Sequence, residues 1–249
     1  MANLHEDELQ PMGSWTEAVK KSKGYQDKTL VSDLIQEFKI NLPNRIHKNQ
    51  IIDLSQRQVH LLLVFLKTLL VKNKQTISIG DFGGGNGYMC DFLRDINPNC
   101  KIIYDVYETR EIATGYNKIG KELNIDFLDT KKFGEKKYDL IILSCVLQYT
   151  NNWRKILTMA GKISNNILIM RLPLIDSNKN KYFVQHNKDK VYGLSQASWP
   201  LMLFSKKLFT KEIQKTFKII FKLTDSEENF PCNGKNYPMN TLLLETKKL

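Results

Sequence analysis

Cysteine and histidine are scarce in this chain of 249 residues, with four of each. The four cysteines, Cys90, Cys100, Cys145 and Cys232, show neither C-x-x-C spacing nor a paired framework, which predicts free thiols in a reducing cytosol. No cluster of histidine, aspartate and glutamate has the spacing of metal ligands. We therefore predict no metal site.

A long hydrophobic run is also missing. The longest one, residues 59–71, is interrupted by His60 and Lys67 and is too short to span a bilayer. The first ten residues have no apolar core of the kind that a signal peptide needs. These features predict a cytoplasmic protein with no membrane span.

Acidic residues are outnumbered by basic ones, 26 against 37, which gives a formal net charge of +11. Such a balance would suit nucleic acid or an anionic substrate. The lysines are scattered along the chain, however, and we interpret the charge as a compositional bias, with a mildly anionic substrate left open. The length fits one α/β domain with additions, or at most two small domains, and a hydrophobic content of 42% is ordinary for a globular protein.

The most informative stretch is residues 77–87, where a β-branched run leads into Asp81 and then into glycines at 83, 85 and 87. Such a turn lets backbone N–H groups approach a ligand closely. A dinucleotide-binding fold needs G-x-G-x-x-G, with its third glycine at a position that here is Tyr88. The pattern D-x-G-x-G-x-G instead resembles motif I of the class I S-adenosylmethionine (SAM) methyltransferases. A glycine-rich turn without a ligand is the alternative.

Strand and helix patterns alternate along most of the chain. Ser55 and Gln58 have the spacing of a capping box ahead of a helix that reaches Val71. The alternation predicts an α/β fold with a doubly wound, mostly parallel sheet, and two closing strands suit an antiparallel pair at its edge. The predicted strands cover residues 76–80, 101–107, 125–128, 138–144, 166–171, 217–223 and 241–246. The methyltransferase resemblance implies a seven-stranded, Rossmann-like sheet.

Two parts are predicted along the chain. Residues 1–54 form an N-terminal helical or irregular extension, and residues 55–249 form the SAM-binding methyltransferase domain. Within that domain, residues from about 172 to 205 are polar and aromatic without clear periodicity, which is long for a structureless connection. We predict a substrate lid there.

The predicted cofactor contacts centre on Glu108, which ends the second predicted strand 21 residues after Gly87. A carboxylate at this place can accept both hydroxyls of a ribose. Asp81 is predicted to hold the loop and, directly or through water, the ammonium group of SAM. The resemblance places adenine contacts at Asp126 and Phe127, although Phe127 could equally be core. The full predicted set is Tyr25, Asp81, Gly83, Gly84, Gly85, Gly87, Glu108, Asp126, Phe127 and Ser144.

A narrower resemblance comes from several segments read together. They are Trp15 with Gly24-Tyr25, the loop from Asp81 to Gly85, S-C-V-L-Q-Y at 144–149, Arg171-Leu172-Pro173, Val184-Gln185-His186 and Ser198-Trp199-Pro200. Together they resemble a family of bacterial methyltransferases associated with capsule and lipopolysaccharide gene clusters. That resemblance implies SAM-dependent methylation of a surface-glycan precursor, or of a phosphate or phosphoramidate decoration on one.

Catalytic residues are harder to assign. His186 is the candidate base among the four histidines because it lies in the predicted lid, although a loop histidine without catalytic function is the alternative. Tyr149 is a second catalytic candidate, and Arg171, Gln185 and Tyr192 are candidate substrate contacts. Arg171 would suit a phosphate or a carboxylate.

The acceptor class remains open at this point. The leading hypothesis is O-methylation of a small molecule, and a homo-oligomer is left open. An RNA methyltransferase is the alternative on the same fold, although Ser-Cys-Val-Leu at 144–147 replaces the N/D-P-P-Y/F/W signature of base N-methylation. The other alternative is a non-catalytic SAM-fold partner protein.

Overall fold

The computed structural model describes residues 8–25, 27–46, 55–72, 75–186, 197–232 and 235–247. Within these ranges the chain forms seven α-helices and ten β-strands. The helices are α1 (Trp15–Lys21), α2 (Lys28–Ile46), α3 (Gln56–Lys72), α4 (Tyr88–Ile96), α5 (Arg110–Ile119), α6 (Trp153–Ile163) and α7 (Lys206–Ile213). None of these helices is long and apolar enough to cross a membrane.

The strands join into one curled, mixed sheet. They are β1 (Glu8–Met12), β2 (Thr76–Phe82), β3 (Lys101–Glu108), β4 (Asp126–Asp129), β5 (Leu140–Ser144), β6 (Asn166–Ile175), β7 (Lys181–His186), β8 (Ser198–Ser205), β9 (Phe217–Cys232) and β10 (Lys235–Thr246). Seven of them follow the order β4-β3-β2-β5-β6-β10-β9. The first five are parallel, whereas β10 is antiparallel to both β6 and β9. This arrangement confirms the predicted α/β fold and contains the predicted closing pair.

Three further strands extend the sheet beyond the predicted seven. The last residues of β6, Leu174 and Ile175, leave β10 and pair in parallel with Phe204 and Ser205 of β8. Strand β8 is antiparallel to β7, and β7 is antiparallel to β1. The described part of residues 172–205 is therefore largely sheet, whereas the sequence indicated an irregular connection. Residues 187–196, in the middle of the predicted lid, lie outside the described residues.

Apolar side chains cover both faces of the parallel strands, as expected of a doubly wound sheet. On one face, Phe38 of α2, Phe65 of α3 and Tyr116 of α5 belong to one buried cluster. On the other face, Trp153 of α6 packs edge-on against Phe204, with ring centroids 5.3 Å apart. The central strand β5 is buried on both sides from Leu140 to Leu143. This core holds the carboxyl ends of β2 to β6 at one common edge.

Candidate active site

A glycine loop connects β2 to α4 at the carboxyl edge of the sheet. Gly83, Gly85 and Gly87 have φ values of +71°, +58° and +76°, in the left-handed region that favours glycine. The backbone N–H of Gly83 donates to the carbonyl oxygen of Tyr107 on β3, at 2.8 Å. Gly87 caps the start of α4. The predicted loop is therefore formed as a tight turn tied to the neighbouring strand.

The glycines of this loop meet different surroundings. A Cβ atom on Gly83 would lie 2.6 Å from the side chain of Val146, and one on Gly84 would lie 2.4 Å from the carboxyl group of Asp81. These two positions are closed by packing. A Cβ atom on Gly85 would meet nothing within 4 Å. Gly85 therefore borders open space that a ligand can occupy.

Asp81 lies beneath the loop and is 1% exposed. Its Oδ2 accepts a hydrogen bond from the Tyr104 hydroxyl at 2.7 Å, while its Oδ1 has no partner among the described residues. Burial raises the pKa of Asp81 to about 7; the bond from Tyr104 opposes this shift and the charge of Glu108 adds to it. A buried carboxylate oxygen without a partner suits a cationic group.

Glu108 ends β3 beside the loop. Its Oε1 accepts the backbone N–H of Gly85 at 2.9 Å, and its Oε2 accepts the N–H of Thr109 at 3.3 Å. Burial raises the pKa of Glu108, and these two bonds from backbone N–H groups oppose the rise. An ionised carboxylate is an acceptor only, so it suits a ligand that offers hydroxyl donors.

The two predicted adenine contacts, Asp126 and Phe127, lie on β4, where they pair with Asp105 and Val106 of β3. Phe127 is 2% exposed, and its ring packs 5.2 Å from that of Tyr116, between centroids. Asp126 is exposed and lines a separate surface groove with Lys101 and Asn124. The structure thus favours the core interpretation of Phe127, while the assignment of Asp126 to adenine stays a prediction. Strand β4 ends at Asp129, which pairs with Glu108.

Two non-glycine residues next to the loop have left-handed backbones. Cys145, which follows Ser144 at the end of β5, has a φ of +54°, and Arg171 of β6 has a φ of +55°. The amide nitrogen of Gln148 donates to the Cys145 sulfur and to the Arg171 carbonyl oxygen, both at 3.2 Å. Strained backbones of this kind occur at functional sites.

Gln148 was missed by sequence reasoning. It is 1% exposed, and its Oε1 has no hydrogen-bond partner among the described residues. Its position between the predicted site residues Ser144 and Tyr149 is the only feature of the sequence that points to it. Its two bonds connect the end of β5 with the middle of β6 in the folded chain, and these strands are separate in sequence.

Three predicted residues, Tyr25, Tyr149 and Gln185, come together beside β7 and β8. The Tyr149 hydroxyl donates to Oε1 of Gln185 on β7 at 2.9 Å. The Tyr25 ring lies 5.9 Å from the Tyr149 ring and 5.6 Å from the Trp199 ring, between centroids. The backbone N–H of Gly24 donates to the Ser198 carbonyl oxygen at 2.9 Å and so fixes this N-terminal segment to β8.

His186 is not part of this group. Neighbouring residues of a strand point to opposite faces, so His186 points away from the face on which Gln185 meets Tyr149. Its register partners are Glu8 on β1 and Ser198 on β8. His186 thus lies on the opposite face of β7 from Gln185, and its assignment as the catalytic base stays a prediction. Tyr192 lies outside the described residues.

A cavity of about 910 Å³ opens beside these residues. Phe82 and Thr109, which flank the glycine loop and Glu108, line its inner side, and Tyr149 and Pro200 line another wall. The segment from Ser22 to Tyr25 closes one side. In the described part of the chain, no group of three or more histidine, cysteine, aspartate or glutamate residues could hold a metal ion.

A model of the methyltransferase domain family matches residues 54–210, which include the glycine loop, Glu108 and most of this cavity. The chain belongs to this methyltransferase family. It is a SAM-dependent methyltransferase, and SAM is its cofactor. No curated protein sequence matches the chain.

Solved structures share the fold at low sequence identity. The N-terminal domain of EvdMO1 with S-adenosylhomocysteine (SAH) bound has a TM-score of 0.51 and 13% identity, over 87% of this chain and 97% of that one. The same domain in the presence of SAH and D-fucose has a TM-score of 0.50 and 13% identity over the same shares. The pyocyanin biosynthetic protein PhzM has a TM-score of 0.45 and 8% identity, over 69% of this chain and 50% of that one. The chain thus spans about half of PhzM.

Proposed function

We propose that this methyltransferase transfers the methyl group of SAM to an oxygen atom of a small molecule. The cavity carries the small-molecule part of the proposal, because its volume of about 910 Å³ lies in the range of ligand pockets and its lining includes Phe82 and Thr109, the chain neighbours of the glycine loop and of Glu108. The acceptor in this proposal is a precursor of a capsule or lipopolysaccharide, or a phosphate or phosphoramidate decoration on one. The joint motif pattern described above supports that part.

In this proposal the chain binds the cofactor through three features. Glu108 accepts the ribose hydroxyls, Asp81 faces the ammonium group with its unpartnered Oδ1, and the open space at Gly85 admits the ligand. SAM supplies a methyl carbon that is already electrophilic. The residues of the chain therefore contribute mainly by holding the reactants in line, which is worth about 7–11 kcal/mol in favourable cases.

Asp81 predicts that cofactor binding depends on pH. If its carboxylate holds the ammonium group, the affinity for SAH should rise about tenfold from pH 6 to pH 8, since Asp81 loses its proton near pH 7. Calorimetric titrations across this range measure the effect. The variant Asp81→Asn should bind weakly with no such trend, and a wild-type affinity that is constant over the range would contradict the assignment.

The same group sets an opposite trend in the stability of the unliganded protein. The pKa of Asp81 is raised from its ordinary value of 3.8 to about 7 on folding, so the folded state binds more protons between these values. Protonated Asp81 therefore makes its full contribution to the free energy of unfolding below pH 3.8. This contribution is lost as the pH rises through about 7.

The acceptor class is tested with SAM labelled in its methyl group. The purified protein is incubated with three separate fractions from cells: nucleotide sugars and sugar phosphates, lipid-linked glycan precursors, and total RNA. We expect label in one of the first two fractions and none when Glu108→Ala replaces the wild type. Label in RNA alone would show the RNA methyltransferase instead. Tight SAH binding with no labelled fraction would favour the non-catalytic partner.

A further inference from the structure

We propose that the oxygen that receives the methyl group belongs to a phosphate or carboxylate group, which enters the cavity already ionised. This inference rests on the proposed function, because it specifies the acceptor for O-methyl transfer at the same site. Two independent features of the cavity support it. Its charged lining residues are basic, and its described lining contains no base.

The charged residues that line the cavity are all basic. They are Lys23 after α1, Lys131 in the turn after β4 and Lys155 in the first turn of α6. No aspartate or glutamate is among the described lining residues. Three lysines from separate elements therefore line one cavity, and their charges attract an anion there.

Two of these lysines keep their charge available. Neither Lys131 nor Lys155 makes an ion pair among the residues that the structure describes. The nearest carboxylate in sequence, that of Asp129, accepts the backbone N–H of Lys131 at 2.9 Å.

Asn152 and Lys155 also place the N-terminus of the eleven-residue helix α6 at the cavity, and this end of a helix favours anions.

The described lining contains no group suited to remove a proton near neutral pH. It includes no histidine and no carboxylate, and its two phenols are Tyr25 and Tyr149. The Tyr149 hydroxyl donates a hydrogen bond to Gln185, and burial raises the pKa of Tyr25. A sugar hydroxyl would need a base, whereas a phosphate or carboxylate oxygen is ionised without one.

Methyl transfer to an ionised oxygen also balances without a proton acceptor. The oxygen forms a bond to the methyl carbon as the carbon–sulfur bond breaks, and the electron pair of that bond stays on sulfur. The acceptor loses one negative charge and the sulfonium loses its positive charge. Positive side chains around the acceptor are thus needed for binding only.

Calorimetry on the SAH-saturated protein tests the inference. The probes are inorganic phosphate, glucose 1-phosphate, glucuronate and the neutral methyl glucoside. At least one anionic probe should bind more tightly than methyl glucoside, and the double variant Lys131→Ala/Lys155→Ala should weaken it about tenfold. Phosphate probes and glucuronate distinguish the two kinds of oxyanion. The matched control, Lys132→Ala/Lys162→Ala, removes the same charge from exposed positions outside the cavity lining and should bind like the wild type.

SAH binding is measured first for each variant, because it distinguishes a failure of this inference from a failure of the proposed function. If wild-type protein binds SAH but no anionic probe, or binds methyl glucoside as tightly, the inference is wrong while the proposed function stands. Equal loss of the anionic probe in both double variants would also overturn it. If wild-type protein fails to bind SAH, the proposed function itself fails.

Discussion

Replacement of Glu108 by alanine is expected to weaken SAH binding about 100-fold while the protein remains folded. In the proposed function the carboxylate accepts hydrogen bonds from the ribose, and a bond to a charged group contributes about 1.5–3 kcal/mol. In the structure it accepts the backbone N–H groups of Gly85 and Thr109. Calorimetric titration with SAH and thermal unfolding measure the two quantities.

Two further variants sharpen this test. Glu108→Gln keeps an acceptor oxygen for Gly85 but loses the charge, so its affinity should lie between those of the wild type and Glu108→Ala. Glu111→Ala removes the same charge from an exposed position in the first turn of α5 and should bind SAH normally. Similar affinities for Glu108→Ala and Glu111→Ala would exclude a ribose contact.

Local patterns in the sequence predicted much of the fold. The capping box at the start of α3 is present, because the Ser55 N–H donates to Oε1 of Gln58 at 3.0 Å and the Gln58 N–H donates to the Ser55 hydroxyl at 3.4 Å. The glycine loop and the strand that ends at Glu108 also follow from neighbours in sequence. Such features depend on a few adjacent residues, and their spacing carries the information.

Features that depend on distant residues were predicted less well. Strand β8 is buried on nearly all of its length, so it lacks the alternation that identifies a strand. The left-handed backbone of Arg171 coincides with a bulge opposite Thr241 of β10, and Gln148 reaches it across the sheet. These contacts join segments far apart in the chain. The resemblance predicts Tyr25 as a site residue, whereas its packing against Trp199 is visible only in the folded structure.

The glycine loop gives the second large effect: Gly85→Val should reduce the affinity for SAH by more than about 100-fold. A side chain there would enter the open space beside Glu108, since no atom lies within 4 Å of a Cβ atom on Gly85. The left-handed backbone also makes any side chain costly, by about 1–3 kcal/mol of folding free energy. Calorimetry with SAH and denaturant unfolding separate these two consequences.

Gly24→Val is the matched control for this variant. Gly24 also has a left-handed backbone, with a φ of +72°, and a Cβ atom on it likewise meets nothing within 4 Å. Both variants therefore incur the same kind of strain, but Gly24 lies on the N-terminal segment that lines the cavity and is not part of the glycine loop. We expect similar losses of stability and near-normal SAH affinity for Gly24→Val alone. Equal affinities in the two variants would mean that the space at Gly85 does not receive the cofactor.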